Sequence, residues 1–254
     1  MNRTPPVDVL RELRREVGFG CPVPGCGNPF LTWHHFDPPW RGREHHEPAG
    51  MIALCREHAD QADAGAFTDE QLRAFKTDTE HAREVGARFN WMRQQLLAVV
   101  GGNFYLETPT PVHIQGIDIV AFSRDEDGHW ILNVNMPRST QEAGLVVAEN
   151  FWISRGEPEE LVCPPMGRLV SARYANGDSI KIEFVDDLDA AGLDKRYPDA
   201  PVGTWPIPTP ITVVEITMRL PDANIDFGPR LTKIGNTSIS NSFMGMCQYG
   251  LFVG

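Results

Sequence analysis

Two short-spaced ligand pairs constrain this chain more than any other feature. Cys21 and Cys26 sit in a Pro/Gly-rich knuckle, and Cys55 and His58 follow an apolar run, giving C-x4-C…C-x2-H. Three thiols and an imidazole are the donors that complete a zinc tetrahedron, and a knuckle plus a helix start is the usual way to supply them. Ordinary buried thiols and a surface histidine are the alternative; ligand spacing in both pairs at once favours the metal. The total of five cysteines is odd, which excludes a complete internal disulfide set. Cys163 and Cys247 stand alone among apolar or small residues and read as inert core thiols. Structural zinc contributes on the order of 10 kcal/mol to a small module. Residues 21–65 have little apolar core of their own, so chelation is expected to unfold them.

The length of 254 residues suits one or two domains. No charged-then-apolar signal opens the sequence, and no apolar run is long enough to span a bilayer. Both point to the cytoplasm and to no membrane partner. The formal net charge of −11 is unevenly spread. Residues 1–100 carry 12 Lys+Arg against 14 Asp+Glu, and the remainder carries 11 against 20. An acidic surface is a poor platform for a phosphate backbone, so nucleic-acid contact falls to the N-terminal part. The C-terminal half contains no Ser/His/Asp set, Gly-rich phosphate loop or carboxylate pair at helical spacing. His113 and His129 read as satisfied strand histidines there, and Asp186, Asp187 and Asp189 as an acidic surface loop.

Apolar residues at 7, 10, 13 and 17 predict a helix, with Arg11, Arg14 and Arg15 as a solvated face. Phe30–Phe36 and Met51–Leu54 read as strands, Asp37–Gly50 as a loop and Arg56–Ala64 as a helix. Thr68 can cap the next helix. Its pattern persists through Leu72, Phe75, Val85, Phe89, Met92, Leu96 and Val99, with a break near Gly86, and stops at Gly101-Gly102. Beyond lie β-type runs: Val112–Ser123, His129–Met136, Leu145–Ile153, Arg168–Tyr174, Ser179–Val185 and Ile211–Leu220. Asn176-Gly177 predicts a type I′ hairpin, 186–210 a long acidic loop, and 224–253 short strands with tight turns.

Between the ligand pairs stands Trp33-His34-His35-Phe36-Asp37-Pro38. Adjacent histidines on a strand point to opposite faces, so one can hold a metal while the other meets a water. In CPVPGC, WHHFDP, GMIALCREH and ADAG, taken in that order, the chain resembles the HNH (ββα-metal) endonuclease family. The resemblance covers about 45 residues, near 80 with the flanking helices, and does not reach the last 150.

That resemblance implies roles. His34 would ligate a divalent catalytic ion, and His35 would be the general base, a task suited to a neutral imidazole near pH 7. A further ligand is implied eight residues after Cys55, where this chain has Asp63 instead of histidine. Helix geometry supports Asp63 separately. It lies roughly 140° around the helix from His58, so one helix can serve two metals from two faces. Alone, Asp63 would read as a solvated helix acid; Asp60, one turn away, is the runner-up. A carboxylate with one imidazole suits Mg²⁺ or Mn²⁺. The family's middle residue is an asparagine that holds the loop positioning the base, and here Gly50 stands in its place. His45-His46-Glu47 lies nearby, with His46 the better substitute on proximity. Arg41 and Arg43, in the same loop, are candidate phosphate contacts. Trp33 and Trp40 could stack on bases or form core.

The sequence therefore predicts an α+β chain: a zinc-bound HNH module (1–67), a helical connector (68–102) and an all-β domain (103–254). The expected function is metal-dependent phosphodiester hydrolysis on nucleic acid, DNA before RNA. The acidic β domain is expected to serve homo-oligomerisation, a protein partner or regulation. The alternative is a zinc-binding interaction protein that has lost catalysis, which Gly50 favours.

Overall fold

A computed structural model describes residues 2–77, 84–136, 144–200, 205 and 207–254. The chain is mixed α+β and dominated by strands. It opens with α1 (Val7–Glu16), β1 (Leu31–His35), β2 (Met51–Cys55), α2 (Arg56–Asp63) and α3 (Asp69–Thr77). β1 and β2 pair antiparallel, Leu31 opposite Cys55 and His35 opposite Met51. All five residues of β2 are buried, because α1 and α3 pack on the hairpin as well as α2. Leu13, Val17, Met51, Ile52, Leu54 and Leu72 form the centre of this small core. Thr68 starts α3 as half of a reciprocal cap: its Oγ1 accepts from Gln71 N–H, and its own N–H donates to Gln71 Oε1.

The expected helical connector is not helical from Glu84 onward. Residues 78–83 lie outside the described residues, and the chain then enters two strands, β3 (Glu84–Arg88) and β4 (Leu96–Val100). Leu96, Ala98 and Val100 face one core while Leu97 and Val99 face another. A strand buried on both faces is a continuous apolar run, which periodicity cannot separate from a helix. Gly101-Gly102 is likewise no domain boundary. Both glycines have positive φ and form a two-residue turn between β4 and β5 (Asn103–Leu106), with Val100 paired to Asn103.

Next come β6 (Thr110–Ile114), β7 (Ile117–Arg124), β8 (Trp130–Asn135), β9 (Gly144–Ala148), β10 (Phe151–Arg155), β11 (Glu160–Val162) and β12 (Leu169–Arg173). Then follow β13 (Ser179–Leu188), α4 (Ala190–Arg196), β14 (Ile211–Leu220) and β15 (Ile225–Phe227). The last strands are β16 (Thr232–Ile234), β17 (Thr237–Ile239), β18 (Phe243–Gly245) and β19 (Tyr249–Val253). One sheet runs β19-β6-β7-β8-β9-β10-β3. The other runs β11-β12-β13-β14-β15-β16-β17, with β4 parallel to β14, β5 beside β4, and β18 beside β5. Val120, Leu132 and Trp152 of the first sheet share one core with Val170, Ile182, Val214 and Phe227 of the second.

Three expectations change here. Val112–Ser123 and Leu145–Ile153 are each two strands, divided at Gln115-Gly116 and Glu149-Asn150, whose φ angles are all positive. The 174–178 turn is not type I′. Only Gly177 has positive φ, Gly177 N–H donates to Tyr174 O, and Tyr174 N–H donates to Asp178 O. That is a type I turn with a glycine bulge. The long acidic loop is partly structured: β13 reaches Leu188, and Asp189 caps α4 by accepting from Gly192 N–H at 2.7 Å.

The N-terminal unit is docked on the β sheets. Phe19 is 5% exposed and belongs to the shared sheet core, and Phe30 packs against that core. Arg11 and Arg14 of α1 reach Glu160 at 3.1 and 3.6 Å, and Arg15 donates to the Glu159 carbonyl. The arginine face read as solvated is thus occupied by β11 and its approach. Phe19→Ala should therefore lower stability by about 3–5 kcal/mol, read by denaturant unfolding, while metal content per folded chain stays unchanged.

Candidate metal centre and the paired histidines

The knuckle is a set of backbone turns that aims two thiols the same way. Cys21 N–H donates to Asn28 O, Gly27 N–H to Cys21 O, and Cys26 N–H to Val23 O, at 2.9–3.1 Å. Cys55 ends β2 and is the cap residue of α2, which places His58 in the first helical turn. The four ligand atoms of Cys21, Cys26, Cys55 and His58 all lie within 4.8 Å of one another and can hold a metal ion such as zinc. Cys26 Sγ and Cys55 Sγ are 3.8 Å apart. His58 Nδ1 is 3.3 Å from Cys21 Sγ and 3.2 Å from Cys55 Sγ. A zinc tetrahedron with ordinary bond lengths has S···S edges of about 3.8 Å and S···N edges of about 3.6 Å, so the donors fit with a slight contraction. A disulfide needs sulfurs about 2.05 Å apart. Burial pushes the Cys21 thiol up to about 12 and raises that of Cys26, so a cation is what would make thiolates here.

Five residues beyond His58, Asp63 comes round to the other side of α2. Its Oδ1 lies 3.1 Å from His34 Nδ1, with His34 nearly covered and Asp63 open to solvent. Asp60, the runner-up, pairs instead with Arg56 at 3.5 Å. Burial lowers the pKa of His34, an effect partly offset by the charge of Asp63.

His35 points to the opposite face, into the loop between β1 and β2. Its Nε2–H donates to the His45 carbonyl at 3.1 Å, and its Nδ1 is buried with no hydrogen-bond partner among the described residues. Burial pulls this imidazole down to about 4, so it is neutral at pH 7. The Trp40 ring lies 4.7 Å from it, centre to centre. His46 stacks on Trp40, and its Nε2–H donates to the Asn2 carbonyl at 2.8 Å. Arg41 and Arg43 are exposed on the loop, the latter paired with Glu47 at 2.7 Å. Arg73, on α3, pairs with Asp37, and Lys76 with Glu16 at 3.1 Å. Trp33 packs against the small core beneath the Arg14 guanidinium.

Gly50 has a structural reason. A Cβ there would lie 1.9 Å from the Asp37 carbonyl oxygen, because Gly50 O accepts from both Phe36 and Asp37 N–H at 3.0 and 3.2 Å. No asparagine side chain fits this approach. The residue that spans the loop is His45, not the expected His46. Its Nε2–H donates to Pro38 O at 2.9 Å, and its Nδ1 accepts from Glu47 N–H at 3.2 Å. The sequence offered no signal separating these two adjacent histidines.

Elsewhere, Asp125, Asp127 and His129 also cluster closely enough for a cation, a grouping the sequence reading missed. Asp125 Oδ1, however, already accepts from the N–H groups of Asp127 and His129 in its own turn. His113 and His129 are paired, with Asp118 and Asp125 respectively. Cys163 is buried with its thiol pushed up to about 12, whereas Cys247 is only half-buried beside Thr108. Compared with protein-family models, curated proteins and solved structures, the chain matches none.

Elemental analysis should find about one zinc per chain, lost in Cys21→Ser. Because three thiols must give up protons to bind, apparent zinc affinity should fall as pH is lowered from about 8 to 6 in a chelator competition. Gly50→Ala should destabilise by about 1–3 kcal/mol or more through overpacking, seen as a lower unfolding midpoint.

Proposed function

We propose that the protein is a metal-dependent HNH-type phosphodiester hydrolase acting on nucleic acid, DNA before RNA, with a structural zinc at Cys21, Cys26, Cys55 and His58. The observation that carries this reading is the 3.1 Å contact of His35 Nε2 with the His45 carbonyl, which can only accept. Donation from Nε2–H to the His45 carbonyl leaves Nδ1 as an unprotonated lone pair, the form a general base requires. On the neighbouring residue of the same strand, His34 meets Asp63, a donor pair suited to Mg²⁺ or Mn²⁺ with water completing the shell. An ion held there would stabilise charge on the phosphate and on the leaving oxygen.

His35 takes the proton of the attacking water at Nδ1. Trp40 packs against this ring, 4.7 Å away centre to centre. Arg41 and Arg43 would meet the phosphate backbone. The acidic β domain would serve assembly or control, a role to which exposed Tyr249 and Phe252 on the edge strand β19 are suited. No helix among the described residues is long and apolar enough to cross a membrane; reduced cysteine ligands suit the cytoplasm.

A second reading, a zinc-held interaction protein without catalysis, is favoured by the burial of His35 Nδ1. Plasmid and single-stranded substrates incubated with Mg²⁺, Mn²⁺ or EDTA separate the two. Cleavage should need the metal and fall by about 10²- to 10⁴-fold in His35→Ala. Absence of cleavage in every metal, or an unchanged rate in that variant, would favour the second reading.

A further inference from the structure

The loop from Asp37 to Gly50 contains no regular element beyond the single turn at Pro48–Gly50, yet it must present one carbonyl to His35 in a fixed place. Side-chain and backbone contacts within the loop show how. His45 is 4% exposed, an unusual burial for a residue in a loop of Pro, Gly and charge. Its ring joins the two ends of the loop: Nε2–H to Pro38 O near the start, and Nδ1 from Glu47 N–H near the end. Both contacts are met by one neutral tautomer, and both leave the backbone carbonyl of His45 directed at His35 Nε2. The two rings also meet edge to face, 5.1 Å apart. Gly50 closes the loop from below by receiving the Phe36 and Asp37 N–H groups.

We propose that His45 is the positioning residue of the His35 site. Its side chain spans the loop so that its own carbonyl holds His35 Nε2–H and leaves His35 Nδ1 free. The catalytic part of this inference rests on His35 being the base; the positioning part does not. A cross-loop imidazole does from within the loop what no side chain at position 50 has room to do. Because one residue supplies both the strut and the acceptor carbonyl, losing the ring loosens the very group that orients His35. A misplacement of a base by about 1 Å costs on the order of 100-fold in rate, and loss of an outer support typically costs 10- to 100-fold.

The test compares full-length wild type, His45→Ala, His45→Gln and His35→Ala, each checked for zinc content. Glutamine has one amide donor and one carbonyl acceptor, so it can restore both loop contacts. Two readouts are taken: cleavage kinetics, and the imidazole ¹H–¹⁵N signals that report whether His35 carries its proton on Nε2 in a slowly exchanging hydrogen bond. His45→Ala should lower kcat about 10- to 100-fold with KM little changed, and should lose the slow His35 Nε2–H signal. His45→Gln should recover both. A zinc-loaded His45→Ala that keeps the wild-type His35 signal overturns the proposal, whatever its rate. If His45→Ala fails to retain zinc, His45→Gln decides, and loss of the signal in that zinc-loaded variant overturns it. A wild-type protein that cleaves nothing, or a fully active His35→Ala, sinks the nuclease reading alone, since the imidazole signals still judge His45.

Discussion

Three thiols and an imidazole drawn within 4.8 Å of one another cannot be charged together without a cation, because burial and mutual repulsion both oppose thiolates there. A cation held by the four would stabilise the thiolates, and the ligand positions suit one. The knuckle holding Cys21 and Cys26 is tied to the junction of β2 and α2 at Cys55 and His58. That tie sets where α2 lies against the hairpin, and α2 sets where Asp63 meets His34. Without the tie, the small core around Leu13, Met51, Ile52 and Leu54 would have to hold two crossing chain segments alone. A core of that size contributes little net stability once the entropy of ordering the chain is counted. The meeting of Asp63 with His34 therefore depends on how the far side of α2 is held.

The opposed directions of His34 and His35 follow from the strand itself. Side-chain alternation along β1 sends one ring to α2 and the next into the loop. Each then acquires a different partner, a carboxylate for His34 and a backbone carbonyl for His35. Neighbours in sequence are thus specialised by geometry rather than by chemistry. The charge of the molecule is arranged by the same economy. Arg11, Arg14 and Arg15 join α1 to the acidic β11 region, while Arg41 and Arg43 stay exposed near the site.

Much of the metal cluster was legible because ligand spacing is local: C-x4-C makes a knuckle and C-x2-H makes a helix start whatever surrounds them. Asp63 was legible for a similar reason, since helical rotation fixes its direction relative to His58. The connector was misread because Val85, Phe89, Met92, Leu96 and Val99 happen to follow helical spacing, while the fold buries Val85 of β3 and Phe89 just beyond it in one core and makes Leu96–Val100 a strand buried on both sides. Long-range pairing with β10 and β14 decided the matter, and no local pattern encodes such pairing. The Gln115-Gly116 and Glu149-Asn150 turns were hidden because neither looks like a strong turn pair. The role of His45 over His46 was equally illegible, because it depends on where Pro38 and Glu47 come to rest.

The strands β3 and β4 carry a consequence for how the molecule is made. They emerge early in synthesis, directly behind the metal-binding unit, but their hydrogen-bonding partners are β10 and, for β4, both the adjacent β5 and the distant β14. At about 5–20 residues per second, the interval between β4 and the end of β14 is on the order of ten seconds. Throughout that interval Leu96–Val100 has no sheet to enter beyond a hairpin with β5, and five consecutive apolar residues remain available to other nascent chains. The unit that carries Cys21, Cys26, Cys55 and His58 can fold while its anchorage is still unfinished. In this architecture the vulnerable moment of biogenesis falls between the two halves, at the residues that look from the sequence like an unremarkable linker.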